Sequence, residues 1–296
     1  LAAAGFKPEF VLASDLPPVD TISHIAKHFP LPQNFQYPLV RVLVDGQAYY
    51  LNDTDQYAEP GATAHADKLG VDLATRKIET IHAAKDCGEK SETVYTVTLA
   101  NDGQAQIGVT HRYYGSEFGE KNRYFSELPP EERRRYFQEI VSGVAQGARP
   151  VGGLVTKFDA YPGVEEFHVT VDHYAVVDGK YLYFDLPFTP SLLPLGADTR
   201  ELPLFIANGD DNRIRAEITL PPQFRKVVIA PAGKKLSAAN AGTAQISIAA
   251  ADGKFNLDDE LKTTPSIIAP ADYPAVLKTE SSLREKSGRA ILLQAE

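Results

Sequence analysis

One β-hairpin near the start of the chain constrains the fold more than any other feature of the sequence. Residues 39–44 and 47–51 are two runs rich in Val, Leu and Tyr, and Asp45-Gly46 lies between them. An Asp-Gly pair in this setting predicts a two-residue type I′ turn, because both of its residues tolerate positive φ. We therefore expect an antiparallel strand pair here.

Short strands and glycine turns dominate the rest of the chain. The pattern predicts further strands at 9–13, 78–83, 94–99, 105–114, 154–159, 166–177, 180–186, 213–220, 226–229, 244–249, 253–263 and 290–293. After residue 72 it predicts two helices, 130–144 and 273–286, and a short helical segment is expected earlier, at 21–28. This order of elements favours an α+β fold with a mainly antiparallel, sandwich-like sheet over a doubly wound one.

Size and charge limit the classes of function. With 296 residues the chain should hold about two domains, at roughly 100–200 residues each. A net charge of −9 argues against a general nucleic-acid-binding protein, which needs a basic face to replace phosphate counterions. No run of about 18 apolar residues is present, so we predict no transmembrane segment.

Cysteine usage is minimal. Cys87 is the single cysteine, which excludes an intrachain disulfide and a cysteine-cluster metal site. It lies in the polar segment 85–90, where we expect an exposed, unreactive thiol. We predict no metal and no cofactor. Residues 1–4 followed by Gly5 are typical of a last helical turn with a glycine C-cap, so we expect the sequence to begin inside a domain.

Residues 5–14, 35–42 and 45–55 resemble the second half of the transglutaminase-like core of large bacterial proteins. The family pattern runs Phe-Asn-His, an apolar strand, Asp-Gly, an aromatic strand and Leu-Asp-Pro-Thr, and its nucleophilic Cys begins the helix before residue 1. The remainder resembles the β-rich region of unknown function that follows such cores. The segments that carry this weaker likeness are 112–115, 130–144, 200–203, 220–221 and 270–273.

The resemblance implies two parts. Residues 1–72 would be the C-terminal half of a degenerate transglutaminase-like α/β core. Residues 73–296 would be a mainly antiparallel, β-sandwich-like domain with two helices, which can itself divide into two β subunits.

Carried over to this sequence, the family's catalytic His falls on Tyr37 and its Asp on Asn52. The interval of fifteen residues (52 − 37 = 15) fits the strand-turn-strand spacing of the family. A tyrosine with an ordinary pKa of about 10 cannot act as a general base near neutrality. The resemblance therefore implies no catalytic residue in this chain, with Tyr37 and Asn52 side by side at degenerate triad positions.

Four residues are candidate substitutes for the lost triad members. Asp53 and Asp55 could supply the carboxylate, and His24 and His28 could approach the same cleft from the preceding loop. The alternative for the two aspartates is a turn whose side chains bond local N–H groups. A Ca²⁺ site is a third interpretation, although the segment lacks the glycine and the twelfth-position glutamate of an EF-hand loop.

Aromatic pairs support a competing function. Tyr113-Tyr114, Tyr124-Phe125 and residues 181–184 place rings on both faces of predicted elements. An exposed row of rings could bind a carbohydrate or a peptide, whereas core packing is the simpler interpretation. The absence of Trp weakens the carbohydrate hypothesis.

The resemblance implies a non-catalytic scaffold or interaction protein, a bacterial pseudoenzyme located in the periplasm or outside the cell. Its expected partner is another protein or an upstream segment of the same precursor. One alternative is a thiol acyl-transferase or cysteine peptidase completed by an upstream Cys-bearing segment. The other is a carbohydrate- or peptide-binding β-sandwich module.

Overall fold

A computed structural model describes residues 1–51 and 56–295. These residues form mostly antiparallel β-sheet with four α-helices, which confirms the α+β class. The strands are β1 (Glu9–Ser14), β2 (Phe35–Val44), β3 (Gln47–Leu51), β4 (Leu69–Asp72), β5 (Ile78–Thr80), β6 (Ser91–Leu99), β7 (Ala105–Tyr113), β8 (Arg149–Lys157), β9 (Gly163–Val171), β10 (Val176–Asp178), β11 (Tyr181–Asp185), β12 (Leu204–Ile206), β13 (Asp210–Thr219), β14 (Lys226–Ile229), β15 (Lys234–Ser237), β16 (Gly242–Ala251), β17 (Lys254–Thr263), β18 (Ser266–Ile268) and β19 (Ala290–Gln294). The α-helices are α1 (Asp20–His28), α2 (Gly115–Glu127), α3 (Pro130–Val144) and α4 (Tyr273–Arg284).

The first sheet contains the predicted hairpin. Its five strands lie in the order β3-β2-β1-β4-β5, and all neighbours are antiparallel. Asp45 and Gly46 have φ angles of 50° and 81°, as a type I′ turn requires. The hairpin prediction is confirmed.

Each face of this sheet is covered differently. On one face α1 packs Ala26 against Phe35 and Leu69. On the other, Leu39 packs against Val11 and Ile81, residues of β1 and of the segment after β5. The sheet therefore continues to Thr80, and the division at residues 72 and 73 stays a prediction.

The second sheet has eight strands in the order β15-β16-β17-β13-β6-β7-β9-β8. Strand β13 lies parallel to β6, and the other neighbouring strands are antiparallel. Side chains alternate along β9, where residues 163, 165, 167, 169 and 171 are buried. This alternation gives the sheet one core face and one face toward solvent.

One continuous core joins the second sheet to its neighbours. A four-stranded sheet, β10-β11-β19-β14, and a two-stranded sheet, β12-β18, accompany the large sheet. Fully buried Ile107 and Phe255 of the large sheet belong to the same cluster as Leu182 of β11 and Ile291 of β19. Val276 of α4 is part of it as well. The layered arrangement agrees with a sandwich-like region.

The number of helices after residue 72 differs from the prediction. Two helices are expected there, whereas the described residues form three, because Gly115–Glu127 is helix α2. Its apolar pattern is sparse: Phe118 and Phe125 are its buried large side chains, and Gly119 lies in its interior. Glycine lowers helix propensity and the polar run 120–123 hides the period, so the prediction was wrong here.

No helix within residues 1–51 and 56–295 is both long and apolar enough to cross a membrane.

Candidate functional site

Tyr37 lies on β2, where its backbone is opposite Ala13 of β1. Its side chain is 44% exposed, although the next residue on the same face, Leu39, is buried. Asn52, Asp53 and Asp55 lie outside the described residues. The expected juxtaposition of Tyr37 with Asn52 therefore stays a prediction.

A pocket of about 460 Å³ opens beside Tyr37. Its floor is the first sheet, with Leu39 of β2 and Tyr50 and Leu51 of β3. The loop 58–65 forms one wall, and Ser116 and Glu120 of α2 form the other. The pocket lies at the junction of the first sheet with the second region, a common place for a ligand site.

His65 contacts Tyr37 inside this pocket. The two ring centroids are 5.0 Å apart and the ring planes are tilted by 41°. Burial, reinforced by the positive charge of Lys68, lowers the pKa of His65 below its ordinary value. A histidine with such a pKa is neutral at pH 7, so its imidazole can accept a proton or a hydrogen bond.

No sequence pattern identifies His65, because it lies in a loop at no fixed spacing from Tyr37. Its position follows from how that loop folds. The main-chain N–H of His65 donates to the Thr63 hydroxyl at 3.2 Å, and the N–H of Ala84 donates to the carbonyl of Gly61 at 2.9 Å. A Cβ on Gly61, which has φ 101°, would lie 2.6 Å from the Cβ of Ala84, so this close approach requires glycine.

Glu89 and Asn122 hold helix α2 against the pocket. The Glu89 carboxylate accepts hydrogen bonds from the main-chain N–H and the hydroxyl of Ser116, both at 3.0 Å, at the first turn of α2. An anion at a helix N-terminus is stabilised by the free N–H groups and the helix dipole. Further along α2, Asn122 Nδ2 donates to the carbonyl of Tyr57 at 3.1 Å. These contacts fix Ser116 and Glu120, one turn apart, as one wall.

Carboxylates set the electrostatics of this junction. Burial raises the pKa of Glu89, with Glu120 and Asp210 adding to the effect, and the hydrogen bonds from Ser116 oppose it. Burial also raises the pKa of Glu117. A second cleft of about 680 Å³ shares Ala64, Ser116 and Glu120 with the pocket and continues past Asp67 and Asp210. The junction is therefore acidic.

His24 and His28 lie on α1 rather than in a loop. Both are exposed, their ring centroids are 4.2 Å apart, and His28 Nδ1 is 2.8 Å from the carbonyl oxygen of His24. Neither is among the described residues that line the pocket. Helix α1 turns Ala26 toward the sheet and leaves the two histidines on its outer side.

Cys87 is buried, contrary to the expectation of an exposed thiol. It packs with Ala62 and Ala84 beneath the loop that forms the pocket wall. Burial raises its pKa, and the charges of Glu59 and Asp86 raise it further. The thiol is therefore protonated at neutral pH. Within the described residues, no group of three or more His, Cys, Asp or Glu side chains is arranged to hold a metal ion.

The aromatic pairs mostly serve the core. Tyr113 is buried and donates to Glu165 at 2.6 Å, and Tyr136 of α3 donates to the same carboxylate at 2.9 Å. Phe125 of α2 packs near Tyr136 with a centroid distance of 5.5 Å. Tyr124 and Tyr181 are 41% and 38% exposed, and they lie on α2 and β11. The hypothesis of an aromatic binding face stays a prediction.

Comparison with known proteins gives one distant neighbour. No protein-family model matches this chain, and no curated protein matches it. A crystal structure described as that of a putative protease from Parabacteroides distasonis is similar, with a TM-score of 0.44 and 14% sequence identity. The similarity covers 99% of this chain and 41% of that protein, so this chain spans less than half of its neighbour's length. Similarity at this level identifies neither a family nor an activity.

Proposed function

We propose that this chain is a non-catalytic interaction protein built on a degenerate transglutaminase-like core, and that it binds its partner in the pocket beside Tyr37. The observation that carries the proposal is the position of Tyr37. Its half-exposed ring lies in a pocket of about 460 Å³, at the residue where the resembled family has its catalytic histidine. We infer that a binding pocket remains at a position where the catalytic chemistry of the resembled family is lost.

The character of the side chains supports binding. Tyr37 offers a ring face and a hydroxyl group to a ligand. Leu39, Leu51 and Pro60 add apolar surface, and Thr63 and Ser116 add hydroxyl groups. Apolar walls with a few convergent polar groups are typical of ligand pockets.

Labelling of the full-length protein with a thiol-directed suicide substrate tests the absence of catalysis. We expect no stoichiometric, activity-dependent labelling, because the thiol of Cys87 is buried and protonated. A cysteine peptidase labelled in parallel is the positive control. Stoichiometric labelling that occurs only in the natively folded protein would refute the proposal.

One observation favours an enzyme instead, namely the neutral imidazole of His65 beside Tyr37. In a thiol acyl-transferase or cysteine peptidase completed by an upstream Cys-bearing segment, His65 would take the proton from the thiol. Labelling would then occur in the full-length protein and disappear in His65→Asn. The matched control is His82→Asn, since the side chain of His82 is 73% exposed and lies outside the pocket.

The family resemblance also supports a location in the periplasm or outside the cell. Fractionation of the source cells tests this location directly.

A further inference from the structure

Two carboxylates give the lining of the pocket beside Tyr37 its negative charge, and a nearby cation, Lys68, lies in the neighbouring cleft. Glu59 and Glu120 line it, and the described lining residues include no Lys or Arg. His65 also lines the pocket, and its imidazole is neutral at pH 7 because burial lowers its pKa. Among the described residues neither Glu59 nor Glu120 is in an ion pair or a side-chain hydrogen bond. The two carboxylates are therefore free to bind a ligand.

The pocket also offers an aromatic face. The Tyr37 side chain is 44% exposed and Tyr50, on the neighbouring strand, is 8% exposed. Cations bind over tyrosine rings because the ring face is electronegative. Such a pocket suits a ligand that carries a cation at the end of an apolar chain. The chain would pack on the apolar floor, and the cation would lie near the ring face and the two carboxylates.

We propose that the occupant is an arginine side chain of a partner peptide, an inference that rests on the proposed function. A guanidinium is planar, stacks on aromatic rings and donates two parallel hydrogen bonds to a carboxylate. It is also more weakly hydrated than an ammonium group, so it leaves water more readily for a half-buried site. The aliphatic part of the arginine packs on Leu39 and Leu51, which line the same pocket.

The neighbouring cleft extends the preference for positive charge to peptide residues on either side of the arginine. It shares Glu120 with the pocket and continues past Glu89 and Asp210. Two lysines, Lys68 and Lys262, also line the cleft, but its five acidic side chains outnumber them, and Lys262 is paired with Asp211 at 3.0 Å. Residues of the peptide that flank the arginine therefore face an acidic surface, and binding weakens as ionic strength rises.

Calorimetric titration with three capped tripeptides tests the ligand class. The peptides are Gly-Arg-Gly, Gly-Lys-Gly and the uncharged isostere Gly-citrulline-Gly. We expect saturable binding of the arginine peptide, weaker binding of the lysine peptide, and at least about tenfold weaker binding of the citrulline peptide. Equal binding of the arginine and citrulline peptides, or no binding of the arginine peptide, overturns the inference.

Variants locate the site. Glu59→Gln and Glu120→Gln should each weaken binding of the arginine peptide about fivefold, as the loss of a partly exposed charged contact does. Glu139→Gln on α3, whose side chain is 69% exposed, is the matched control and should leave binding unchanged. Tyr37→Leu should weaken binding, whereas Tyr181→Leu should not. Equal effects of the pocket variants and their controls would place the binding elsewhere and overturn the inference.

Failure of this inference and failure of the proposed function give different results. If the arginine peptide does not bind and thiol-directed labelling is also absent, only the ligand class is wrong. If stoichiometric labelling occurs, the non-catalytic role is wrong whether or not the peptide binds.

Discussion

The two regions of the molecule bury their apolar side chains in different ways. Around the first sheet the core is divided into small clusters, such as Val11 with Leu39 and, separately, Phe35 with Leu69. The second region has one continuous core that extends from Val97 to Leu293. A divided core buries less apolar surface in any one place, so damage to one cluster should stay local. The candidate pocket lies beside these small clusters.

The largest predicted effect comes from opening a cavity in the continuous core. Phe255→Ala should lower the free energy of unfolding by about 3–5 kcal/mol, and Leu39→Ala in the first region by about 2–4 kcal/mol. Phe255 is 0% exposed and Leu39 is 1% exposed, so both side chains are fully buried. Denaturant-induced unfolding measures the two losses.

Hydrogen exchange then shows whether the regions are independent. The Leu39→Ala cavity should speed exchange in β1–β4 and leave β13 and β17 protected, because its cluster is local. Phe255→Ala should speed exchange throughout the large sheet. If Leu39→Ala affects the large sheet to the same degree, the two regions unfold as one unit and the comparison fails.

The next effect concerns two buried aspartates in opposite situations. Asp259 of β17 is 0% exposed and neither of its carboxylate oxygens has a hydrogen-bond partner within the described residues. Burial, with a contribution from Asp258, raises its pKa to about 7. Asp72 of β4 is also buried, but it accepts from the main-chain N–H groups of Ala74 and Thr75 and pairs with Arg41.

These situations give opposite dependences on pH. The raised pKa of Asp259 means that the folded state holds a proton which the unfolded state releases near pH 4, so stability falls as pH rises from about 4 to about 7. Asp259→Asn should remove this loss, on the order of 4 kcal/mol at pH 8, and make the variant more stable than the parent there. Thermal unfolding at pH 4, 6 and 8 measures the slope.

Asp72→Asn is the matched control with the reverse sign. The hydrogen bond from the main-chain N–H of Thr75 is the largest influence on the pKa of Asp72, and it lowers that pKa. The N–H of Ala74 and the charge of Arg41 lower it further. The stabilisation by ionised Asp72 is therefore fully present above about pH 4. It is lost as the pH falls through the lowered pKa that Asp72 has in the folded state. Asp72→Asn should destabilise the protein at pH 7 and have little effect in strong acid. A parallel pH response in both variants would contradict the assignment.

The sequence predicts those parts of the fold that depend on neighbouring residues. The hairpin at Asp45-Gly46 follows from two turn residues between apolar runs, and α3 follows from its apolar stripe. The order of the large sheet does not follow in this way, because β13 inserts between β6 and β17 from far along the chain. The pocket, like the order of this sheet, brings together residues that are far apart in the sequence. Tyr37 can be identified from a pattern, whereas His65 and Glu120 reach it through a loop and an unpredicted helix.

A smaller effect is expected where α2 joins the two regions. Asn122→Ala removes the hydrogen bond to the carbonyl of Tyr57 and should cost about 1 kcal/mol. Faster exchange at residues 56–60 should accompany this loss, because the loop is held there by α2. Asn256→Ala on β17 replaces an exposed asparagine and should cost less than about 0.5 kcal/mol. Similar costs for the two variants would mean that α2 does not stabilise the loop.

The smallest change in stability, and the most direct test of the pocket, comes from Tyr37→Leu. Because the side chain is 44% exposed, the free energy of unfolding should change by less than about 0.5 kcal/mol. The pKa of His65 should nevertheless rise toward its ordinary value of 6.5, because loss of the neighbouring ring admits water to the imidazole whose burial lowers it. Titration of the His65 ring protons by NMR measures this shift, with the exposed His82 as an internal reference. An unchanged His65 titration would mean that Tyr37 does not shield the imidazole, and the first region would then lack the ring-lined pocket that distinguishes it from the second.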